Sequence, residues 1–292
     1  MIERTFQHIP NVGPWREKDL WARGYTDWSE FPGPGEGVAI SRKADDEARE
    51  RIGAAREALA ARDLAALGAM FPPREHWRLY REFADECVFF DIETDGREQM
   101  RPTVVSLFDS HGLHVFIEGR NMDALPAALM RRRLWVTFNG SCFDVPVLQG
   151  HFPELRAPAV HLDLRFIFQR LGRACGLKAL EDAFGLPRPP HLRGVNGMDA
   201  VLLWRAFREH GDVAALRFLV EYNLYDAFNL RTLMDRAWNL ACEGLSFEDE
   251  KGPIFERGDV LYDVSKAMLA IAPVDADPEV LERVRWDQRV AG

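Results

Sequence analysis

Four short apolar runs and the sequence HLDL, which would add a fifth strand at an edge, predict the β-strands of this chain. They lie at residues 87–93, 104–109, 113–118, 134–138 and 161–164. Only the turn sequence Ser-His-Gly separates the second run from the third, so the first three runs are expected to form an antiparallel meander. The first run, VFFDI after Cys87, is apolar enough to be buried on both faces of a sheet.

Longer segments with helical periodicity predict the helices. They are expected at residues 43–70, 122–133, 164–171, 176–185, 198–209 and 212–240. The first is rich in alanine, and the double proline Pro72-Pro73 is expected to end it. A meander followed by alternating helices and strands indicates an α/β fold with a mixed sheet flanked by helices and a small helical N-terminal region.

Shifts in composition divide the chain into four predicted regions. Residues 1–38 are rich in Trp, Gly and Pro and end in FPGPGEG, which is typical of a linker. Residues 39–82 are expected to be a helical linker region, 83–243 the α/β domain, and 244–292 a loose acidic extension. The glycine spacing in GPGEG does not indicate a phosphate-binding loop, because no strand precedes it.

The composition narrows the class of protein. The chain has 292 residues, 47% of them hydrophobic, with four dispersed cysteines and a formal net charge of -9. Cysteines without CxxC spacing predict neither a zinc site nor a disulfide framework, and they favour a reducing cytoplasm. No apolar run suggests a membrane span or a signal peptide. The acidic balance argues mildly against broad binding of nucleic acid, but it leaves room for a local basic groove.

Two acids stand at the end of the first predicted strand. Asp91 and Glu93 are two residues apart, so both should project from the same face of the sheet. Two like charges at the edge of a core are costly unless a cation lies between them. The alternative is a solvated strand end, since Thr94 is followed by an Asp-Gly turn.

Two further acids lie in suggestive positions later in the chain. In FNGSCFDVPVL, Asp144 opens a helix directly after the turn that ends the fourth strand, where the helix dipole alone could explain a carboxylate. In EYNLYDAFNL, Tyr222 and Asp226 are four residues apart and share one face of an apolar helix. A buried acid on such a face requires a partner or a metal ion.

Taken in order, these segments resemble a known family. D-x-E on a first strand, N-x-x-x-x-D after a later strand and Y-x-x-x-D on a late helix are similar to the three motifs of the DEDDy (DnaQ-like) 3′-5′ exonucleases. The second motif is similar to that of the proofreading domains of family B DNA polymerases. The segments HLDL and GLKALEDAFGL resemble the YprB-type ribonuclease H-like domain. The resemblance covers roughly residues 83–240, and it implies a ribonuclease H-like fold.

The resemblance implies a catalytic site and a substrate. Four metal-binding carboxylates, Asp91, Glu93, Asp144 and Asp226, would hold two Mg²⁺ or Mn²⁺ ions, which prefer oxygen ligands. The hydroxyl of Tyr222 would orient the attacking water. The implied activity is hydrolysis of single-stranded DNA or RNA from its 3′ end in the cytoplasm. The terminal nucleotide would be held by three further side chains, those of Thr94, Asn139 and Phe143.

Several alternatives remain open at this point. A non-catalytic nucleic-acid-binding or scaffold protein could keep the same fold, although it would not require all four acids. An endonuclease with the same metal ions would differ only in that it does not require the end of a strand. Phe143 could belong to the core, and His161 and Asp163 could be structural. The opening segment resembles one helix-hairpin-helix unit, in which hairpin amides bind phosphate, but Asn11 stands where the first glycine is expected.

Overall fold

The computed structural model describes residues 1–32, 42–186 and 188–255. Residue contacts divide the chain into two compact units. The first unit comprises Met1–Ala84 with Pro158–Leu162, and the second comprises Asp85–Ala157 with the described residues from Asp163 on. Most of the predicted linker FPGPGEG and the greater part of the predicted C-terminal extension lie outside the described residues.

Apart from Pro158–Leu162, the regular structure of the first unit is helical. Its helices are α1 (Pro14–Ala22), α2 (Arg42–Ala60) and α3 (Leu64–Met70). The single helix expected over residues 43–70 is therefore wrong. Arg62 adopts a left-handed φ of 50°, and the Asp63 side chain caps α3 by accepting a hydrogen bond from the Ala66 N–H at 3.0 Å. These two residues end one helix and begin the next.

The opening segment differs from the expected helix-hairpin-helix unit. Residues 1–13 form turns, and α1 is the one helix within the described residues 1–32. The turns are fixed from outside, because Trp28 donates its backbone N–H to Glu3 and its indole N–H to Thr5. Residues 1–13 are held as turns by these long-range hydrogen bonds, so they do not form the first helix that the motif requires.

A buried ion pair joins α1 to the 3₁₀ turn at Pro73–Leu79. The guanidinium of Arg78 donates to both carboxylate oxygens of Glu17, at 3.1 and 2.8 Å, and both side chains are almost fully buried. Glu17 also accepts from the Thr5 hydroxyl and the Phe6 N–H, each at 2.8 Å. The residues predicted to be a linker therefore belong to a packed unit.

A five-stranded mixed sheet confirms the predicted fold class. Its strands are β1 (Cys87–Thr94), β2 (Pro102–Asp109), β3 (Gly112–Ile117), β4 (Leu134–Thr137) and β5 (Val160–Asp163). The strand order is β3-β2-β1-β4-β5. β1 pairs antiparallel with β2 and parallel with β4, while β2 and β3 form the expected antiparallel hairpin. The predicted strands agree with these limits to within two residues.

Six helices follow or separate the strands in the described part of the second unit. They are α4 (Leu125–Met130), α5 (Asp144–His151), α6 (Leu164–Arg170), α7 (Leu177–Ala183), α8 (Gly197–His210) and α9 (Val213–Gly244). Their ends carry ordinary stop and start signals. Asn196 and Asp199 form a capping box at the start of α8, Gly211 ends it with a φ of 69°, and Asp212 caps α9.

The two faces of β1 pack against different helices. Val88, Phe90 and Ile92 belong to the cluster that includes Leu129 of α4 and Leu148 of α5. The other residues of β1 point to the opposite face of the sheet, on which α8 and α9 contribute to a second cluster with residues of β2 and β3. Asp91 and Glu93 therefore face α9.

The C-terminal extension is not loose over its first residues. The indole N–H of Trp238 donates to the Glu250 carbonyl at 2.9 Å, and the Phe255 N–H donates to Asp235 at 2.8 Å. The Phe255 ring lies beside those of Phe108 and Phe228. Residues 245–255 are thus anchored on α9. In the part of the chain that the structure describes, no helix has the length and apolar character to cross a membrane.

Candidate active site

Three carboxylates meet between β1 and α9. Asp91 and Glu93 come from the end of β1, and Asp226 comes from the middle of α9. One oxygen of each lies within 4.8 Å of the others. Asp226 is almost fully buried, although it lies in a helix whose neighbouring residues are apolar. The end of a β-strand and one face of a long helix have together produced an acidic cluster within the core.

Asp144 contributes a fourth carboxylate close to these three. It is the first residue of α5, it is 3% exposed, and its charge acts on both Asp91 and Glu93. Its carboxylate accepts hydrogen bonds from its own N–H and from that of Ile92. The bond to Ile92 fixes the start of α5 against β1, between the two strand acids.

A tight turn brings Asp144 to this position. Asn139, two residues after the end of β4, adopts a left-handed φ of 66°. At Gly140 a Cβ atom would stand 2.2 Å from the Thr137 hydroxyl oxygen and 2.5 Å from its Cβ, so a side chain cannot be accommodated without a shift. The glycine lets the chain reverse sharply and place α5 beside β1.

Asp163 holds this turn together. Its carboxylate accepts from the backbone N–H of Asn139 at 2.7 Å, from that of Ser141 at 3.1 Å and from the Ser141 hydroxyl. It also caps α6 through the Arg165 N–H. The structural interpretation of Asp163 therefore fits these contacts, and Asp163 supports Asp144 through the turn.

Burial, together with the charges of neighbouring acids, favours the protonated forms of Asp91, Glu93 and Asp144. Burial raises the pKa of Asp91 and of Glu93 well above the usual values, and the charges of Asp226 and Asp144 raise both further. Burial also raises the pKa of Asp144, to about 7. Because a bound divalent cation would stabilise the ionised carboxylates, cation binding at this cluster is expected to release protons.

Tyr222 lies one turn before Asp226 on α9 and belongs to the same site. Burial raises the pKa of its phenol, and the charges of Asp226, Glu93 and Asp91 raise it further. The ammonium group of Lys178 donates to the phenol oxygen at 2.7 Å. The phenol therefore keeps its proton at neutral pH, and its own O–H remains able to donate a hydrogen bond.

Two basic side chains of the site were not found by sequence reasoning. Lys178 is the first, and Arg188 is the second. Arg188 donates from Nε and Nη2 to Glu181, at 2.7 and 2.6 Å, and from Nη2 to Asp226. Glu181 is held in turn by the Asn229 side chain at 2.6 Å. Lys178 lies on α7 and Arg188 in the proline-rich stretch after it, where basic residues are ordinary surface residues, so spacing alone did not single them out.

Asn223 is a third residue that the motif pattern did not reveal. Its side chain donates to Asp91 at 2.8 Å, and its nearby amide partly offsets the rise in the pKa of Glu93. It follows Tyr222 directly and is fully buried. A polar amide in an apolar helix next to a motif tyrosine is the signal that could have identified it.

The three predicted substrate contacts have different surroundings. Asn139 lines a cavity of about 730 Å³ together with Asp91 and Tyr222, and its side chain accepts from Arg165 at 2.6 Å. Phe143 packs against the hydrophobic cluster beneath β1, which agrees with its alternative role in the core. Thr94 is buried at the end of β1, and its contact with a nucleotide stays a prediction.

The fold and the acidic cluster agree with the comparison to known families. The family model described as the RNase H superfamily matches residues 88–238, just over half of the chain. The chain therefore belongs to the RNase H superfamily. This match confirms the ribonuclease H-like resemblance drawn from the sequence. Among curated proteins there was no significant match.

Two solved structures are similar to parts of this chain. One is the family B DNA polymerase of the archaeon Pyrobaculum calidifontis, with 19% identity and a TM-score of 0.37. The matched part covers 55% of this chain and 24% of the polymerase. The other is the EXO domain of Aedes aegypti Nibbler, with 13% identity, a TM-score of 0.34, and coverage of 68% and 91% of the two chains.

Proposed function

We propose that this protein is a metal-dependent 3′-5′ exonuclease acting on single-stranded ends of DNA or RNA. The observation that carries the proposal is the convergence of Asp91, Glu93 and Asp226 within 4.8 Å beside the phenol of Tyr222. Membership of the RNase H superfamily supports a nuclease. Polarity and strand preference come from the resemblance of the ordered motifs to the DEDDy exonucleases.

The residues present fit a pair of divalent ions. Their donors are carboxylate oxygens, which Mg²⁺ and Mn²⁺ prefer, and their charges repel one another when no cation is bound. Asp91, Glu93, Asp144 and Asp226 would hold the ions. When bound, two such ions stabilise the charges on the attacking and leaving oxygens of a phosphodiester.

Tyr222 would orient the attacking water. Lys178 donates to the phenol oxygen, so the phenol O–H is left to donate to the water oxygen or to a phosphoryl oxygen. Because its pKa is raised, the phenol cannot serve as the base. Its role is to hold the water in line, which is a positional contribution to the rate.

A single strand would enter through the cavity beside Asp91. This cavity of about 730 Å³ is lined by Arg165, Gln169 and Asn139 as well as by Tyr222. Arg165 supplies a positive charge for a backbone phosphate, while Gln169 and Asn139 supply amides for sugar or base edges. The overall charge of -9 is therefore compatible with local binding of nucleic acid.

The experiment that tests the proposal uses oligonucleotides labelled at one end. With Mn²⁺, a 3′-labelled single strand should release the label at once as a mononucleotide, while a 5′-labelled strand should give a ladder of shortening products. DNA and RNA are compared in parallel, and EDTA should stop both reactions. Immediate release of a 5′ label would show the opposite polarity. The absence of any product with DNA or RNA would refute the enzymatic proposal.

A further inference from the structure

Arg188 is buried with part of its guanidinium group unsatisfied. Its side chain is 7% exposed, and Nε and Nη2 are engaged by Glu181 and Asp226. Nη1 is also buried, yet it meets no hydrogen-bond acceptor among the described residues. A buried guanidinium N–H without an acceptor is energetically costly, so an anionic ligand whose oxygen reached Nη1 would be stabilised there.

The neighbouring acids do not supply this acceptor. Glu181 already receives two hydrogen bonds from Arg188 and a third from Asn229. Asp226 is shared between Arg188 and the acidic cluster. The orientation of the guanidinium is thus fixed by two carboxylates, with Nη1 left over as a pre-positioned donor.

Arg188 also lines a second cavity, distinct from the one beside Asp91. This cavity of about 390 Å³ has three cationic side chains in its wall, those of Lys178, Arg188 and Arg193. Its acidic residues are Glu181, whose oxygens are occupied, and the exposed Asp182. The site offers cations, one of them carrying an unpaired donor, and so it favours an anionic ligand.

The position of the cavity relates it to Tyr222. Lys178 donates to the Tyr222 hydroxyl, and the Arg188 guanidinium lies 5.7 Å from the centre of the Tyr222 ring. An anion bound by these two cations would lie next to the residue that is proposed to orient the water.

We propose that this second cavity is a phosphate-binding subsite formed by Arg188, Lys178 and Arg193. Arginine presents a rigid fork that suits phosphate oxygens, and Nη1 of Arg188 is the donor for one of them. The identification of the anion as a phosphate of the nucleic-acid chain or of the released nucleotide rests on the proposed function. The presence of an anion site rests on the cavity and its three cationic side chains, independently of that function.

Arg193 separates this proposal from a purely structural role of Arg188. Replacing Arg188 also removes the counter-ion of Asp226, so its effects are mixed. Arg193 is exposed and lines the same cavity, and its replacement should not disturb the core. Arg205 on α8, with 59% of its side chain exposed, provides a matched arginine that does not line this cavity.

The test is calorimetric titration of the full-length protein in EDTA with inorganic phosphate, with a nucleoside 5′-monophosphate and with the nucleoside alone. The wild type should bind the two phosphate compounds and not the nucleoside. Arg193→Gln should weaken binding by about tenfold, as expected from the loss of one charge-assisted hydrogen bond, while Arg205→Gln should bind as the wild type does. Tighter binding of the monophosphate than of inorganic phosphate would identify a nucleotide as the ligand.

Two results would overturn the proposal. One is the absence of phosphate binding by the wild type, and the other is equal affinity in the wild type and Arg193→Gln. Because the titration needs neither metal nor turnover, its outcome is independent of the oligonucleotide assay. If phosphate binding depended on Arg193 but the protein had no nuclease activity, the proposed anion site would stand and the exonuclease proposal would be wrong. If the protein had nuclease activity but bound phosphate equally well with and without Arg193, the exonuclease proposal would stand and the proposed anion site would be wrong.

Discussion

Replacing Asp144 by asparagine should stabilise the metal-free protein at high pH. In the folded state the pKa of Asp144 is raised from 3.8 to about 7, chiefly by burial. The folded protein therefore keeps a proton that the unfolded chain gives up as pH rises from about 4, and its stability falls through this window. Three pKa units correspond to an upper value of about 4 kcal/mol. Asparagine removes this loss and keeps an oxygen that can accept the Ile92 N–H.

The assay is chemical denaturation in EDTA at pH 4.5 and at pH 8, followed by tryptophan fluorescence. At pH 8 the Asp144→Asn variant should be more stable than the wild type by roughly 2 to 4 kcal/mol, and near pH 4.5 the two should be similar. Asp182→Asn, which changes an exposed carboxylate on α7, is the control and should leave the pH dependence unchanged. Added Mn²⁺ should make the wild type more stable than Asp144→Asn at pH 8, because only the wild type keeps all four carboxylate ligands.

A variant that loses stability between pH 4.5 and pH 8 as steeply as the wild type would contradict this reasoning. So would a variant that is less stable than the wild type at pH 8 in EDTA. Either result would mean that the Asp144 carboxylate is ionised in the folded protein without the expected penalty.

Three further substitutions test separate parts of the structure. Tyr222→Phe should reduce the rate of nucleotide release on the order of 10²-fold to 10³-fold with unchanged Mn²⁺ affinity. The control variant Tyr225→Phe should cleave at the wild-type rate. A slower Tyr225→Phe enzyme would assign the orientation of the water to Tyr225 instead. Asp163→Ala should lower the free energy of unfolding by about 2 kcal/mol, measured by urea denaturation, because the Asn139 turn loses the hydrogen bonds that its N–H groups donate to the Asp163 carboxylate. Glu17→Gln should destabilise the first unit by about 2 kcal/mol in a thermal melt, because the buried guanidinium of Arg78 loses one of its two carboxylate partners and keeps only Glu75. Wild-type stability in either of the last two variants would show that the corresponding contact is dispensable.

The sheet and the acidic residues of the site could be predicted because each left a local signal. The strands are short apolar runs between turns, and their predicted limits are close to those observed. Asp91 and Glu93 alternate with apolar residues on β1, and Asp226 lies on an apolar stretch of α9. Alternation and helical spacing determine which face a side chain occupies, so these acids could be assigned to shared faces.

The basic residues of the site and the helix boundaries of the first unit had no such local signal in the sequence. Arg188 reaches Asp226 across 38 residues of sequence, and Lys178 reaches Tyr222 across 44. Contacts between residues this far apart depend on how α7 and the segment after it pack on α9, which periodicity does not encode. The break between α2 and α3 could not be predicted either. Its left-handed residue is Arg62, and arginine is not a residue type that signals this conformation.

The central claim is that the acidic cluster hydrolyses nucleic acid from the 3′ end with bound divalent ions. It is tested most directly by the initial rate of mononucleotide release from a 3′-labelled single strand in Mn²⁺, with the wild type and Asp226→Asn compared at equal concentration. The wild type should release nucleotide in Mn²⁺ and none in EDTA, and Asp226→Asn should be inactive while its circular dichroism spectrum matches that of the wild type. Release by Asp226→Asn at the wild-type rate, or equal release in EDTA, would contradict the claim.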